Sequence, residues 1–100
     1  MFDDEGFLLD INDWTPAMAE QIATAENITL ADAHWQIIEL ARLYYRTFDI
    51  SPEMRPFVKW VGQQAGADKG KSLYLLSLFP GSPAKRISKI AGLPKPPNCI

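Results

Sequence analysis

The chain is poor in the residues that most directly announce chemistry. Its 100 residues hold one cysteine and one histidine. A lone cysteine closes no internal disulfide, so no cross-linked framework supports the fold. Metal binding needs several ligands, and the only histidine, His34, stands on a helix beside Trp35, where a surface or core role is the plainer reading. Basic charge is not in excess either. Ten Lys and Arg against twelve Asp and Glu leave a net charge of −2, without the strong basic face that nonspecific nucleic-acid binding requires. No apolar run approaches the ~18 residues of a membrane-spanning helix. The opening Met1-Phe2-Asp3-Asp4-Glu5 is acidic and lacks the basic-then-apolar order of a secretory signal. These absences make the cytoplasm the expected compartment.

What is present suffices for one small domain. Apolar residues make up 47% of the chain, including three Trp, three Tyr and five Phe. A domain of this size buries a modest share of its surface and is marginally stable alone. There are no internal repeats.

Punctuation by capping residues and proline predicts five helices. Thr15-Pro16 starts the first, running to about Ala25. Thr29-Leu30-Ala31-Asp32 resembles a capping box and opens the longest. Its apolar residues Leu30, Ala33, Ile37, Leu40, Ala41, Tyr44, Tyr45 and Phe48 recur at three- and four-residue steps and draw one stripe. Ser51-Pro52-Glu53 repeats the cap-plus-proline device, with Met54, Phe57, Val58, Trp60 and Val61 available to the core. Gly62, Gly66 and Gly70 mark a loop or frayed end. Ser72 to Phe79 is short and apolar, stopped by Pro80-Gly81. Ser82-Pro83 caps the last helix, to about Ala91, with Gly92 where a helix-ending glycine belongs. Before all of these, Phe7, Leu8, Leu9 and Ile11 suit a short strand whose partner is not evident. The expected fold is mainly α: a compact array of about five short helices with a small N-terminal β element and an extended, Pro-rich C-terminal arm.

The arm begins after Gly92. Leu93-Pro94-Lys95-Pro96-Pro97-Asn98-Cys99-Ile100 holds three prolines in eight residues, which excludes helix and inner strand. The expected division is a helical domain over 1–92 and a flexible, semi-rigid arm over 93–100. At about 3.1 Å per residue the arm reaches roughly 20 Å.

A lone cysteine is ordinarily a buried small hydrophobe. Cys99, the penultimate residue of a proline-rich tail, has a different context. A cysteine hydrolase needs a base held beside its thiol, and a swinging tail holds none. A carrier needs a nucleophile that enters one partner's site and then another's. A thiolate attacking a persulfide would pick up the outer sulfur, in close kinship with thiol–disulfide exchange. Lys85, Arg86, Lys89 and Lys95 are candidate partner-docking residues. Their charge favours thiolate, whereas the carboxylate on Ile100 opposes it. The thiol is therefore expected to be activated by the partner's site and not in the isolated protein. No cofactor or metal is expected.

Ile90-Ala91-Gly92-Leu93-Pro94-Lys95-Pro96, followed by Cys99 and a terminal aliphatic residue, resembles the ending of the DsrC/TusE family. Leu78-Phe79-Pro80 with Pro83-Ala84-Lys85, Gly70-Lys71-Ser72 with Tyr74-Leu75, Ser51-Pro52 with Arg55, His34-Trp35, Asp13-Trp14 and Glu5-Gly6-Phe7-Leu8 extend the likeness over nearly the whole chain. Within the family, DsrC members carry a second cysteine ten residues before the penultimate one. Here that position is Lys89, and the single-cysteine pattern is that of the TusE branch. The resemblance implies a DsrC-like fold and a sulfurtransferase without independent turnover. It implies a persulfide on Cys99 received from a TusBCD-like complex and passed to an MnmA-like thiouridylase for wobble 2-thiouridine synthesis, with tRNA contacted only indirectly. Three readings compete with it: a DsrC-like carrier in sulfite reduction or sulfur oxidation, which Lys89 opposes; a helix-turn-helix-like DNA-binding module, which the acidic balance opposes; and an interaction protein whose tail docks as a polyproline-type peptide.

Overall fold

Helix starts in this chain are set by which side chain or ring satisfies the first unpaired N–H groups. In a computed structural model, which describes residues 1–97, α1 (Pro16–Ala25) begins as its sequence predicts. Thr15 Oγ1 accepts from the Met18 N–H at 3.2 Å and Pro16 takes the first helical position.

Helix α2 (Asp32–Phe48) starts differently. The Thr29–Asp32 box does not cap it. Ala31 is the N-cap residue, and its N–H donates to Nδ1 of His34 at 3.1 Å. With Nδ1 accepting, the ring proton sits on Nε2, which donates to the Leu78 carbonyl at 2.9 Å. His34 thus staples the start of α2 to the end of α4 (Ser72–Leu78), edge-on to Phe79. Its role is structural.

Helix α3 (Met54–Ala65) begins after Glu53, two residues later than Ser51-Pro52 predicts. Ser51 and Pro52 are buried, and the Ser51 hydroxyl is spent on the arm instead of on a cap. Gly62 lies inside α3 and does not end it. The backbone of Gly70 packs against Gly62 so closely that a Cβ on Gly70 would come within 2.7 Å of the Gly62 nitrogen. The stop comes at Gly66, with φ +112°.

The last helix, α5 (Pro83–Ile90), is short but central: it packs against α1, α2, α3 and α4. Ile87 and Ile90 are fully buried, joined in the core by Ala19 and Ala23 of α1, Ile37, Ile38 and Ala41 of α2, Phe57 and Val61 of α3, Leu75 and Phe79. Phe48, at the end of the predicted α2 stripe, is 51% exposed. Ahead of α1, a single 3-10 turn spans Ile11–Asp13. The predicted β element amounts to one antiparallel bridge, Phe2 to Leu8, flanked by hydrogen bonds from Asp3 N–H to Phe7 O and from Leu9 N–H to Met1 O. The partner missing from the sequence reading is therefore the chain's own first three residues. The turn buries Phe7 and Leu8. Among the described residues, no helix is long and apolar enough to cross a membrane.

Candidate functional site

The end of α5 places the arm. Gly92 N–H bonds to Lys89 O at 3.2 Å and Leu93 N–H to Ser88 O at 2.9 Å, the paired bonds of a Schellman motif with glycine in the left-handed conformation. Gly92 has φ +74°. It lies beneath Trp14, whose indole Nε1 donates to Ile90 O at 2.9 Å and whose face carries the Arg42 guanidinium at 4.0 Å. Arg42 in turn donates to Ala91 O at 2.7 Å. Burial, and secondly the charge of Arg46, push the Arg42 guanidinium below its ordinary value. Trp14 and Arg42 together satisfy two of the carbonyls that the end of α5 leaves unpaired.

From there the arm is pinned residue by residue. Leu93 is buried in the core cluster. The Ser51 hydroxyl donates to Pro94 O at 2.6 Å. Lys95 Nζ pairs with the Glu5 carboxylate at 3.1 Å, and Pro96 is buried while Pro97 is exposed. Residues 93–96 of the expected arm lie against the globule, where apolar residues find core contacts and polar groups find partners. Beside the arm, Tyr45, Asp49, Ile50, Ser51, Pro94, Lys95 and Pro97 line a shallow concavity of about 180 Å³. Cys99, the predicted carrier residue, lies outside the described residues.

The four basic candidates do come together, on two carboxylates. Lys85 and Lys95 both pair with Glu5, at 3.3 and 3.1 Å, and Arg86 and Lys89 both pair with Glu26, at 3.6 Å each. Lys89 also faces the Phe7 ring at 5.3 Å. These cations serve the fold first: they tie the N-terminal turn and α1 to α5 and the arm. Sequence reasoning missed Ser51, Trp14 and Arg42 as arm-holding residues. Ser51 was masked by its own good capping signal, and no local pattern marks Arg42. Among the described residues, no group of three or more His, Cys, Asp or Glu could hold a metal ion.

Two measurements test this anchoring. Ser51→Ala removes one hydrogen bond and is expected to lower stability by about 1 kcal/mol, read as a reduced urea midpoint with unchanged slope. An unshifted midpoint would show that the bond is idle. The second concerns pH. Lys95 first, then Lys85, hold the Glu5 carboxyl below its ordinary value of 4.5. A lowered folded-state pKa contributes stability above the unfolded value and loses it as pH falls through the folded value. Acidification from pH 6 to below about 4.5 should therefore destabilise the native chain more than Glu5→Gln, by a small margin because Glu5 is solvated. Parallel pH profiles for the two chains would contradict the assignment.

Comparison with known proteins places this arrangement. The family described as "DsrC like protein" matches residues 1–100. The Sulfurtransferase TusE of Sodalis glossinidius is 48% identical over 98 residues, covering 98% of this chain and 91% of that protein. That of Yersinia pestis is 46% identical over 98 residues, covering 98% and 90%. The solution structure of DsrC from Allochromatium vinosum superposes with a TM-score of 0.89 at 45% identity, over 99% of this chain and 88% of that one. The oxidized gamma-subunit of the dissimilatory sulfite reductase (DsrC) from Archaeoglobus fulgidus gives 0.85 at 35%, over 100% and 91%. With a full-length family match, near-half identity to sulfurtransferases and the same helical array, the chain belongs to the DsrC-like family.

Proposed function

We propose that this chain is a sulfur carrier of the TusE type, in which Cys99 accepts sulfur as a persulfide from a TusBCD-like complex and delivers it to an MnmA-like thiouridylase for wobble 2-thiouridine synthesis. Relatives named sulfurtransferase at up to 48% identity over nearly the full length support the sulfur-carrying role. The observation that carries the reading is the pinned root. Bonds at Pro94 and Lys95 and burial of Pro96 set the only thiol of the chain a few residues beyond a fixed point on the surface. A carrier benefits from that arrangement, because a short tether on a rigid body raises the effective concentration of the nucleophile at a docked partner's site.

The chemistry balances without a cofactor. The Cys99 thiolate attacks the outer sulfur of the donor's persulfide, the donor S–S bond breaks, and its electron pair leaves on the donor's inner sulfur as a thiolate. Cys99 then carries the persulfide, and a second exchange of the same form passes the outer sulfur on. The thiol's proton goes to solvent or to a base in the partner's site. Lys85, Arg86, Lys89 and Lys95 are engaged by Glu5 and Glu26, and activation of the thiol is assigned to the partner's site.

Lys89 separates this reading from a DsrC-like role in sulfite reduction. It stands where the two-cysteine members have their second cysteine, and it is committed to Glu26 and the Phe7 face. An internal Cys–Cys state has no second sulfur to use. A relay that serves tRNA would work in the cytoplasm. The test is mass spectrometry of the intact chain after incubation with a sulfur-loaded TusBCD-like complex. A gain of one sulfur on Cys99 is expected, and no gain on any residue would overturn the proposal.

A further inference from the structure

We infer that the surface around the arm root, formed by Tyr45, Asp49, Ile50 and Pro97, is the docking face for the protein that donates the sulfur. The inference rests on the carrier reading of Cys99 and deepens it. Its first support is a limit of covalent geometry. The chain is fixed through Pro96, by the Ser51 hydroxyl on Pro94 O at 2.6 Å, by Lys95 on Glu5 at 3.1 Å and by burial of Pro96 itself. Only Asn98 lies between Pro97 and Cys99, and two Cα steps span at most about 7 Å. A donor whose sulfur meets Cys99 while the root stays anchored must bring its own surface against the globule beside Pro97. An arm free from residue 93 would impose no such contact.

The second support is the character of that surface. Ile50 is 44% exposed, next to Asp49 at the turn that ends α2. Ile50 lines the same concavity as Pro94 and Pro97. A large apolar side chain left half in water beside a groove suits a protein partner. Asp49 is exposed here and the cation that lines the same concavity, Lys95, is already paired with Glu5, which suits a protein donor better than an acceptor crowded by tRNA phosphates. The partner's matching face should be apolar at its centre, with a basic residue opposite Asp49.

The test compares Ile50→Asp with Leu73→Asp, which changes an equally apolar and more exposed residue on α4, 78% exposed. Transfer of sulfur to Cys99 is followed by intact mass from two sources: a sulfur-loaded TusBCD-like complex and inorganic polysulfide. Ile50→Asp is expected to slow transfer from the complex at least about tenfold while leaving polysulfide loading unchanged. Leu73→Asp should alter neither by more than about twofold. Thermal unfolding is read on each chain, and Ile50→Ser serves as a milder variant if the aspartate disturbs the turn. Wild-type transfer from the complex to Ile50→Asp, or an equal loss in Leu73→Asp, would overturn the docking face alone. Failure of wild-type Cys99 to take sulfur from the complex would overturn the carrier reading and this face with it.

Discussion

Gly92→Ala is expected to destabilise the chain by about 2–5 kcal/mol. Two costs combine. The residue has φ +74°, and a left-handed conformation costs a residue with a Cβ about 1–2 kcal/mol. A Cβ built there also meets the Trp14 ring, lying 2.7 Å from its Cγ and 2.8 Å from its Cβ, and overpacking of this kind costs about 1–3 kcal/mol. The indole cannot swing aside cheaply. It is held by its bond to Ile90 O and by the Arg42 guanidinium across its face. For a domain near this size the loss should lower the melting midpoint by about 10 °C or more. Gly81→Ala isolates the first cost. Gly81 has φ +88°, but its Cβ would meet nothing nearer than the Arg86 guanidinium at 3.9 Å. If thermal unfolding gave the two variants equal midpoints, the Trp14–Gly92 contact would not matter to the fold.

The same contact shows where sequence reasoning succeeds and where it stops. Gly92 was legible as a helix end because helix-ending glycines follow a local rule, and Thr15-Pro16 was legible for the same reason. The five helices followed from such signals, most bounds falling within two residues. That Trp14 roofs Gly92 from 78 residues away in sequence follows no local rule. The centrality of α5 was equally hidden. An eight-residue helix carrying Lys85, Arg86 and Lys89 reads as a surface element, yet its opposite face holds Ile87 and Ile90 at the junction of all four other helices. Ser51 shows the converse failure. Its local signal for a cap is sound, but the tertiary offer of Pro94 O competes for the hydroxyl and wins, and α3 starts later. The candidate docking cations lie on two shared carboxylates. Those partners were not legible locally, because Glu5 and Glu26 come from the N-terminal turn and from the C-cap of α1.

Cys99→Ser should reduce sulfur acceptance to the limit of detection, the largest functional effect expected of any substitution. A hydroxyl is the natural control for a thiol, since it is close in size and hydrogen-bonding ability. At neutral pH it offers no appreciable anion and no soft sulfur to attack a persulfide. The root of the arm remains anchored in this variant, because Ser51, Glu5 and the core around Leu93 are untouched. Docking to the donor should therefore survive while transfer fails, a separation that an interaction protein with a polyproline-type tail would not show. That alternative requires Cys99→Ser to keep full function. In cells lacking the native protein, Cys99→Ser should leave wobble uridine without its 2-thio group, measured on tRNA hydrolysates, and the wild-type chain should restore it. Normal thiolation with the serine chain would defeat the tRNA reading outright. Sulfur loading of Cys99 in vitro with no change in thiolation in cells would keep the carrier and move it to another sulfur pathway, a result that the lysine at position 89 argues against.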